Sequence, residues 1–348
     1  MAKSRVIGLD IGTTMVRAAE VEQEARSGRA TLVSYGEVSL APGAVEDASV
    51  VSTEVVSAAI QRLWHESKFS SRNVVMGMGA ITTAVREIDV PFMPMAQLRQ
   101  SLPFQVQEML PMPVDEAILD FYPGSRFDGP AGEMVRGLLV AATKRSVSAN
   151  VAAAERGKLH PQVVDLNALA LLRSAKVSSR QENVVAVVDI GGSMTTVAIA
   201  ARGVPRMVRV IPNGGRDVTN AVSRQMNIPI ADAEGLKRQI ASSAQVPQEW
   251  ALAHEAINEV NRNLVDSIRN TFVYHQSNNP GAAIDMVVLT GGGAQLGGLP
   301  QLLSNAARIA VTFGDPLAGM SIESKAQVHI SAPVTMAVAV GLALAVAS

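Results

Sequence analysis

The chain has 348 residues, no cysteine, and a net charge of −1 from 30 Lys plus Arg against 31 Asp plus Glu. Apolar residues make up 48% of it, too many for a disordered chain, and the length suits about two domains. The missing cysteines exclude disulfide scaffolds, zinc–thiolate and iron–sulfur sites and a thiol nucleophile, and the lack of a basic stretch excludes the usual nucleic-acid binder.

In chain order, residues 6–21 read as a strand, a tight turn and a second strand. The opening apolar stretch 6–9 is too short for a signal peptide. Residues 50–68 carry apolar side chains at helical spacing, among them Val51, Val55, Val56, Ala59, Ile60, Leu63 and Trp64. Strands are expected at 73–78 and 84–90, then a helix centred on 95–109 and closed by Leu110-Pro111-Met112-Pro113. Two more strands, 118–122 and 135–142, flank a Gly- and Pro-rich stretch at 123–132 that reads as a loop. Residues 146–157 are helical, and 163–174 form an apolar segment turning helical. A second strand–turn–strand follows at 185–200, a strand at 206–211, and helices at 217–226, 230–241 and 249–276. A strand at 284–289 ends in Thr290-Gly291-Gly292-Gly293, ahead of a helix at 298–307. The apolar stretch 334–347 is shorter than the roughly 20 residues of a membrane span and reads as a buried core helix. The chain stops straight after it without a basic amphipathic helix, so nothing here is expected to lie on a membrane unaided. Strands and helices alternate throughout, which argues an α/β fold.

The two strand–turn–strand segments are copies of one pattern. Val6 to Val21 aligns with Val185 to Ala200 at an offset of 179 residues, matching at a Val, Asp, Ile, Gly, Met and one Ala. Two copies suggest two related α/β domains facing each other. Asp10 and Asp189 end their first strands, where ligands of open α/β sheets gather. A facing pair of carboxylates there would hold a magnesium ion, mostly through waters. Gly12 and Gly191 permit turns that bring N–H groups close to a ligand. Thr13, Thr14, Gly192 and Ser193 offer N–H and hydroxyl groups to phosphate oxygens. Arg17, seven residues after Asp10, could return on the second strand to the same phosphate, or be a solvated strand residue. The glycine triplet lets a flat ligand or phosphate approach the backbone. Asn213-Gly214-Gly215 is similar, with Asp217 as the N-cap of the next helix.

The order Leu9-Asp10-Ile11-Gly12-Thr13-Thr14, Val188-Asp189-Ile190-Gly191-Gly192-Ser193 and Thr290-Gly291-Gly292-Gly293 resembles the actin-like ATPase superfamily, with its phosphate-1, phosphate-2 and adenosine motifs. Within it the sequence is most similar to the PilM family of type IV pilus assembly. That resemblance rests on Glu108-Met109-Leu110-Pro111-Met112-Pro113-Val114-Asp115-Glu116 followed by Leu119-Asp120-Phe121. It extends to Val90-Pro91-Phe92-Met93-Pro94, Asn213 to Thr219, Ala233 to Lys237, Gly291 to Leu299 and Ala339 to Leu344.

The resemblance implies two ribonuclease-H-like domains around a nucleotide cleft, with an inserted FtsA-like 1C subdomain. The divisions expected are 1–84 for subdomain 1A, 85–154 for 1C, 155–181 for the return to 1A, 182–213 for 2A, 214–282 for 2B, 283–320 for the rest of 2A, and 321–348 for a C-terminal helix back on 1A. It implies ATP or ADP with Mg2+ bound by Asp10, Gly12, Thr13, Thr14 and Arg17 from one side and Asp189, Gly191, Gly192 and Ser193 from the other. Gly215, Glu234, Lys237 and Gly291 to Gly293 would meet the nucleoside. Asp165 is the nearest match to the acid that orients water in active relatives, and it reads equally as a helix cap, so binding is better supported than hydrolysis. The implied partner is the N-terminal cytoplasmic peptide of a PilN-like inner-membrane protein, seated between 1C and 1A. Other pilus assembly proteins and motor ATPases would join it. The chain would then be cytoplasmic and reach the inner face of the membrane through that partner. A sugar or metabolite kinase and an FtsA-like filament former are the competing functions in the same superfamily.

Overall fold

The computed structural model describes residues 3–24, 28–79, 83–130, 132–176, 183–243, 245–327, 329–330 and 332–345. The chain begins with β1 (Lys3–Ile11), β2 (Met15–Glu24) and β3 (Ala30–Ser39). A two-rung ladder, β4 (Val45–Glu46) with β5 (Ser49–Val50), leads into α1 (Thr53–Ser67) and β6 (Asn73–Met78). Next come β7 (Ala84–Pro91), α2 (Met95–Val106), β8 (Ala117–Gly129), β9 (Gly132–Thr143) and α3 (Lys144–Arg156). Then β10 (His160–Leu166) and α4 (Asn167–Ser174) precede β11 (Val184–Ile190), β12 (Thr195–Ala201) and β13 (Val204–Ile211). Helices α5 (Gly215–Met226), α6 (Ile230–Ser242) and α7 (Ala251–Asn278) follow, then β14 (Met286–Thr290), α8 (Leu299–Ala307) and β15 (Ala310–Phe313). The described chain closes with β16 (Ser321–Ile322), α9 (Ser324–Gln327) and α10 (Ala337–Ala343).

Two large sheets share one topology. The first runs β10-β6-β1-β2-β3-β16 and the second β13-β12-β11-β14-β15. In each, an antiparallel three-strand meander (β1-β2-β3, β11-β12-β13) continues through its first strand into two parallel strands (β6 and β10, β14 and β15). The 16-residue repeat is thus the visible trace of a five-strand repeat. The central strand β11 is apolar except for Asp189 and is covered on both faces, as suits a strand next to a parallel neighbour.

One face of each sheet has its own helices. α1 and α3 close a core over β1, β2 and β6 through Val56, Ile60, Leu63, Ala153 and Ala154. α5 to α8 close the other, through Val218, Val222, Ile257, Ile268 and Leu303. The opposite faces share a core in which α4 and α10 meet Val75 of the first sheet and Val185, Val187, Ala198 and Val288 of the second, and α10 closes a further core with Ala19, Val21, Leu32 and Tyr35 of the first. α10 is built from Ala, Val, Leu and Gly, so it is thin. At Gly341 the backbone of α4 passes so close that any Cβ would collide with the Ala170 carbonyl.

Along the chain, the segment between β6 and β10 forms a third, three-stranded sheet in the order β7-β9-β8, with α2 packed on it through Leu98, Leu102 and Val106.

Most expected elements are present, with four corrections. The loop expected at 123–132 is strand almost throughout, because β8 and β9 pair from Ala117↔Thr143 to Gly129↔Gly132. Pro123 is tolerated because β8 is an edge strand and its register shifts there, so no ladder N–H is missed. The segment 163–174 divides into β10 and α4 at Leu166. β3, β15 and β16 were not anticipated. The apolar tail forms a 3-10 turn and then α10 over Ala337–Ala343, and residues 346–348 lie outside the described set.

Candidate functional site

The repeated turns have one construction. Gly12 N–H donates to the Met15 carbonyl at 2.9 Å, and Gly191 N–H donates to that of Met194 at 2.9 Å. Each closes its hairpin one residue beyond Ile11 or Ile190 and leaves Asp10 or Asp189 just inside the strand end. The turns meet each other directly: the hydroxyls of Thr13 and Ser193 lie 2.6 Å apart. A Cβ on Gly192 would stand 3.2 Å from the Thr14 methyl.

α5 is anchored on the second turn. Gly215 N–H donates to Gly191 O at 2.9 Å and Arg216 N–H to Gly192 O at 2.7 Å. Gly214 has no room for a Cβ, which would lie 2.7 Å from the Gly191 carbonyl. Asp217 is the third residue of α5 rather than its cap, and its carboxylate accepts from the Gly214 N–H at 2.8 Å.

Lys237 is buried on α6 and donates to Gly215 O (3.1 Å), Thr219 Oγ1 (2.9 Å) and Glu234 Oε2 (2.6 Å). Burial pushes the Glu234 carboxyl up, but hydrogen bonds from Lys237 and Thr219 outweigh it and hold the acid below its ordinary range. The pair therefore clamps α6 to the start of α5. Thr219, the hub of this network, was not singled out in the sequence.

The glycine triplet abuts the second turn. Gly291 has φ +84°, and a Cβ there would lie 2.8 Å from the Asp189 carboxylate. Gly293 packs on the Ile190 side chain, whereas Gly292 faces open space. Gly291 and Gly293 thus each have a packing requirement on β11, while Gly292 has open space where a side chain would stand. Thr290, which opens the glycine motif, donates to Asp189 Oδ1 at 2.9 Å.

Asp10 is buried and Asp189 is half-buried. Burial, against the pull of Arg17 and with the push of Asp189, raises the Asp10 carboxyl to about 6. Burial also raises Asp189, against the Thr290 hydroxyl and Arg17. Arg17 stands opposite Asp10 in the β1–β2 register and opposite Glu37 in β2–β3. Its Nε donates to Glu37 Oε2 at 3.1 Å, and Glu37 also accepts from the Tyr35 hydroxyl at 3.0 Å. Arg17 is therefore tied into the sheet while neutralising Asp10.

Asp165 stands apart from this constellation. Its carboxylate accepts from Leu166 N–H at 2.7 Å and pairs with Arg173, whose Nε donates to Gly341 O at 2.9 Å. It joins α4 to α10.

The arrangement suits a phosphate-bearing ligand with a divalent cation. Two carboxylates raised by desolvation would be relieved by a cation between them. Among the described residues no group of three or more His, Cys, Asp or Glu could hold a metal, so phosphate and water would complete the coordination, as magnesium prefers. Asn213, where β13 turns into α5, has a buried Oδ1 without a hydrogen-bond partner in the described structure.

The profile of the type IV pilus assembly protein PilM family matches residues 8–347. The chain belongs to that family. Its fold matches a chain of the PilM-PilN type IV pilus biogenesis complex with a TM-score of 0.85, at 24% identity, over 98% of both chains. The ethanolamine utilization protein EutJ from Carboxydothermus hydrogenoformans (TM-score 0.57, 14% identity, 99% of this chain and 90% of that one) shares the architecture. So does MreB5 of Spiroplasma citri bound to ADP (0.54, 13%, 97% and 94%). The fold is the actin-like one. Among curated proteins the cell division protein FtsA of Streptococcus pneumoniae is 26% identical over 254 residues, 66% of this chain and 54% of its own length. FtsA of Escherichia coli K12 is 28% identical over 48% of this chain and 46% of its own length. The chain thus spans about half the length of these curated relatives.

Proposed function

We propose that the chain binds ATP or ADP with a magnesium ion between its two sheets and serves as a scaffold of a type IV pilus or type II secretion-like machine. In this reading it receives the cytoplasmic N-terminal peptide of a PilN-like inner-membrane protein and couples it to the assembly motor. The observation that carries the reading is the likeness over 98% of both chains to a chain of the PilM-PilN complex, together with family membership over residues 8–347.

In the nucleotide site, Asp10 and Asp189 hold the cation, mostly through water. The turns at Gly12 to Thr14 and Gly191 to Ser193 take the phosphates, and Gly215, Glu234, Lys237 and Gly291 to Gly293 border the nucleoside. Arg17 acts through Asp10. Asp165, paired with Arg173, is not free to orient water, which supports binding over turnover. The three-stranded sheet with α2 is the inserted 1C unit, and the peptide lies between it and the first sheet's half. Among the described residues no helix is long and apolar enough to cross a membrane. In this reading the membrane is reached through the partner.

Thermal unfolding with and without Mg-ATP, repeated with the partner's peptide, tests this. Ligand at a hundredfold excess over Kd stabilises by about 2.7 kcal/mol. A shift with nucleotide and a further one with peptide is expected. No shift with peptide would remove the scaffold reading, and no phosphate release alongside binding would separate binding from hydrolysis.

A further inference from the structure

The three-stranded sheet enters and leaves the first half of the molecule, yet its free face rests on the second half. β13, the edge strand of the second sheet, runs against β7, β8 and β9. Val208 of β13 shares a core with Leu138, Val85 and Val140 of the inserted sheet. At the rim, Arg206 Nη1 donates to Glu87 Oε1 of β7 and to Ser125 Oγ of β8, each at 3.3 Å. Val204 stands 3.2 Å from where a Cβ on Gly124 would be. Both members of the Arg206–Glu87 pair are half-buried, so the pair is less screened than a fully exposed one.

β13 also feeds the nucleotide site. Five residues after Arg206 it ends at Ile211, and the chain passes through Asn213 and Gly214 into α5. The first N–H groups of α5 hold the Gly191 and Gly192 carbonyls, and that turn meets Thr13 of the first half. One strand therefore touches the inserted sheet along its length and the phosphate turn at its end. The two halves are joined on both sides of this strand, by the turns at one place and by the inserted sheet at the other.

We propose that the inserted sheet is a brace between the two halves, held on β13 by Arg206, Glu87 and Val208, and that its docking is energetically linked to nucleotide binding in the cleft. Separating the halves at the turns shears the Arg206–Glu87–Ser125 contact. Loosening that contact in turn frees the halves to part, which weakens the ligand held between them. Linkage makes the two effects equal in free energy. The second half of this statement rests on the nucleotide reading above, and the brace itself does not.

The test uses the full chain with three sets of substitutions: R206E, which sets a carboxylate opposite Glu87, E87R, and the combined swap. Because the chain has no cysteine, spin labels can be placed singly at exposed Gln61 on α1 and Gln301 on α8. The unsubstituted protein is expected to show one narrow inter-label distance, R206E and E87R a longer and broader one, and the swap the original. Calorimetric titration with Mg-ADP is expected to give about fivefold weaker binding for each single change and recovery in the swap. Identical distance distributions in R206E and the unsubstituted protein would overturn the brace. A changed distance with unchanged Mg-ADP affinity would overturn the linkage. If the unsubstituted protein takes up no Mg-ADP, the nucleotide reading fails and the distances alone decide the brace. If R206E does not fold, R206Q combined with S125A is read by the same two measurements.

Discussion

The two halves share a sheet topology and a turn, but they surround their aspartates differently. Asp10 faces Arg17 across the β1–β2 ladder, whereas the equivalent neighbour of Asp189 is Thr196. Asp189 is instead held by the hydroxyl of Thr290 on the parallel strand. The first half thus supplies charge to its acid, and the second supplies a neutral hydrogen bond. The halves also differ in where the chain leaves the shared framework: the first places a sheet-bearing insertion between its two parallel strands, and the second places three helices between its meander and its parallel strands. The same framework therefore serves two ends. The second half clamps its turn with α5, Lys237 and Glu234, and the first extends outward.

The strongest way to break the comparison is to remove both acids. Asp10→Ala with Asp189→Ala should abolish protection of the fold by Mg-ATP, a loss of the full shift of about 2.7 kcal/mol at hundredfold excess. Residual protection in a thermal melt would show that the paired aspartates are not the cation site. Next is the core the halves share. Leu342→Ala on α10 should cost about 3 kcal/mol, read by denaturant unfolding, because Leu342 is fully buried between the sheets.

A finer contrast lies in pH. The folded Asp10 carboxyl titrates at about 6, above its ordinary value, so folding takes up a proton between about pH 4 and pH 6. Stability therefore falls as pH rises through that window, and above it the ionised acid costs about 3 kcal/mol without a cation. Asp10→Asn should accordingly melt higher than the unsubstituted protein at pH 7.5 without magnesium, and equally at pH 4. Asp189→Asn should gain less, because it disturbs the bond from Thr290. Equal gains would erase the asymmetry drawn above. The smallest expected effect is at the contact between turns: Thr13→Val should cost about 1 kcal/mol through its hydroxyl bond to Ser193.

The shared framework was legible because its signals are local. Asp-Ile-Gly ends a strand and starts a turn by the chemistry of those residues alone, and doing so twice at a fixed offset pointed to two halves. What escaped depends on distant partners. Glu37 lies on β3, a strand without a clear alternation, so nothing in the sequence paired it with Arg17. Pro123 and Gly124 read as loop because a register shift on an edge strand has no sequence mark of its own. Gly291 and Gly293 carry a second requirement that glycine alone does not spell out, because the Asp189–Ile190 strand end approaches both.

Helix α10 closes the core against β1 and β2, some of the first strands made. On a ribosome adding about 5–20 residues per second, those strands wait on the order of tens of seconds for the segment that covers them. The nascent first half must pass that interval with an apolar sheet face uncovered. It is therefore the part of the chain that would depend most on holding factors during synthesis, and the part where a stalled or shortened product would aggregate first.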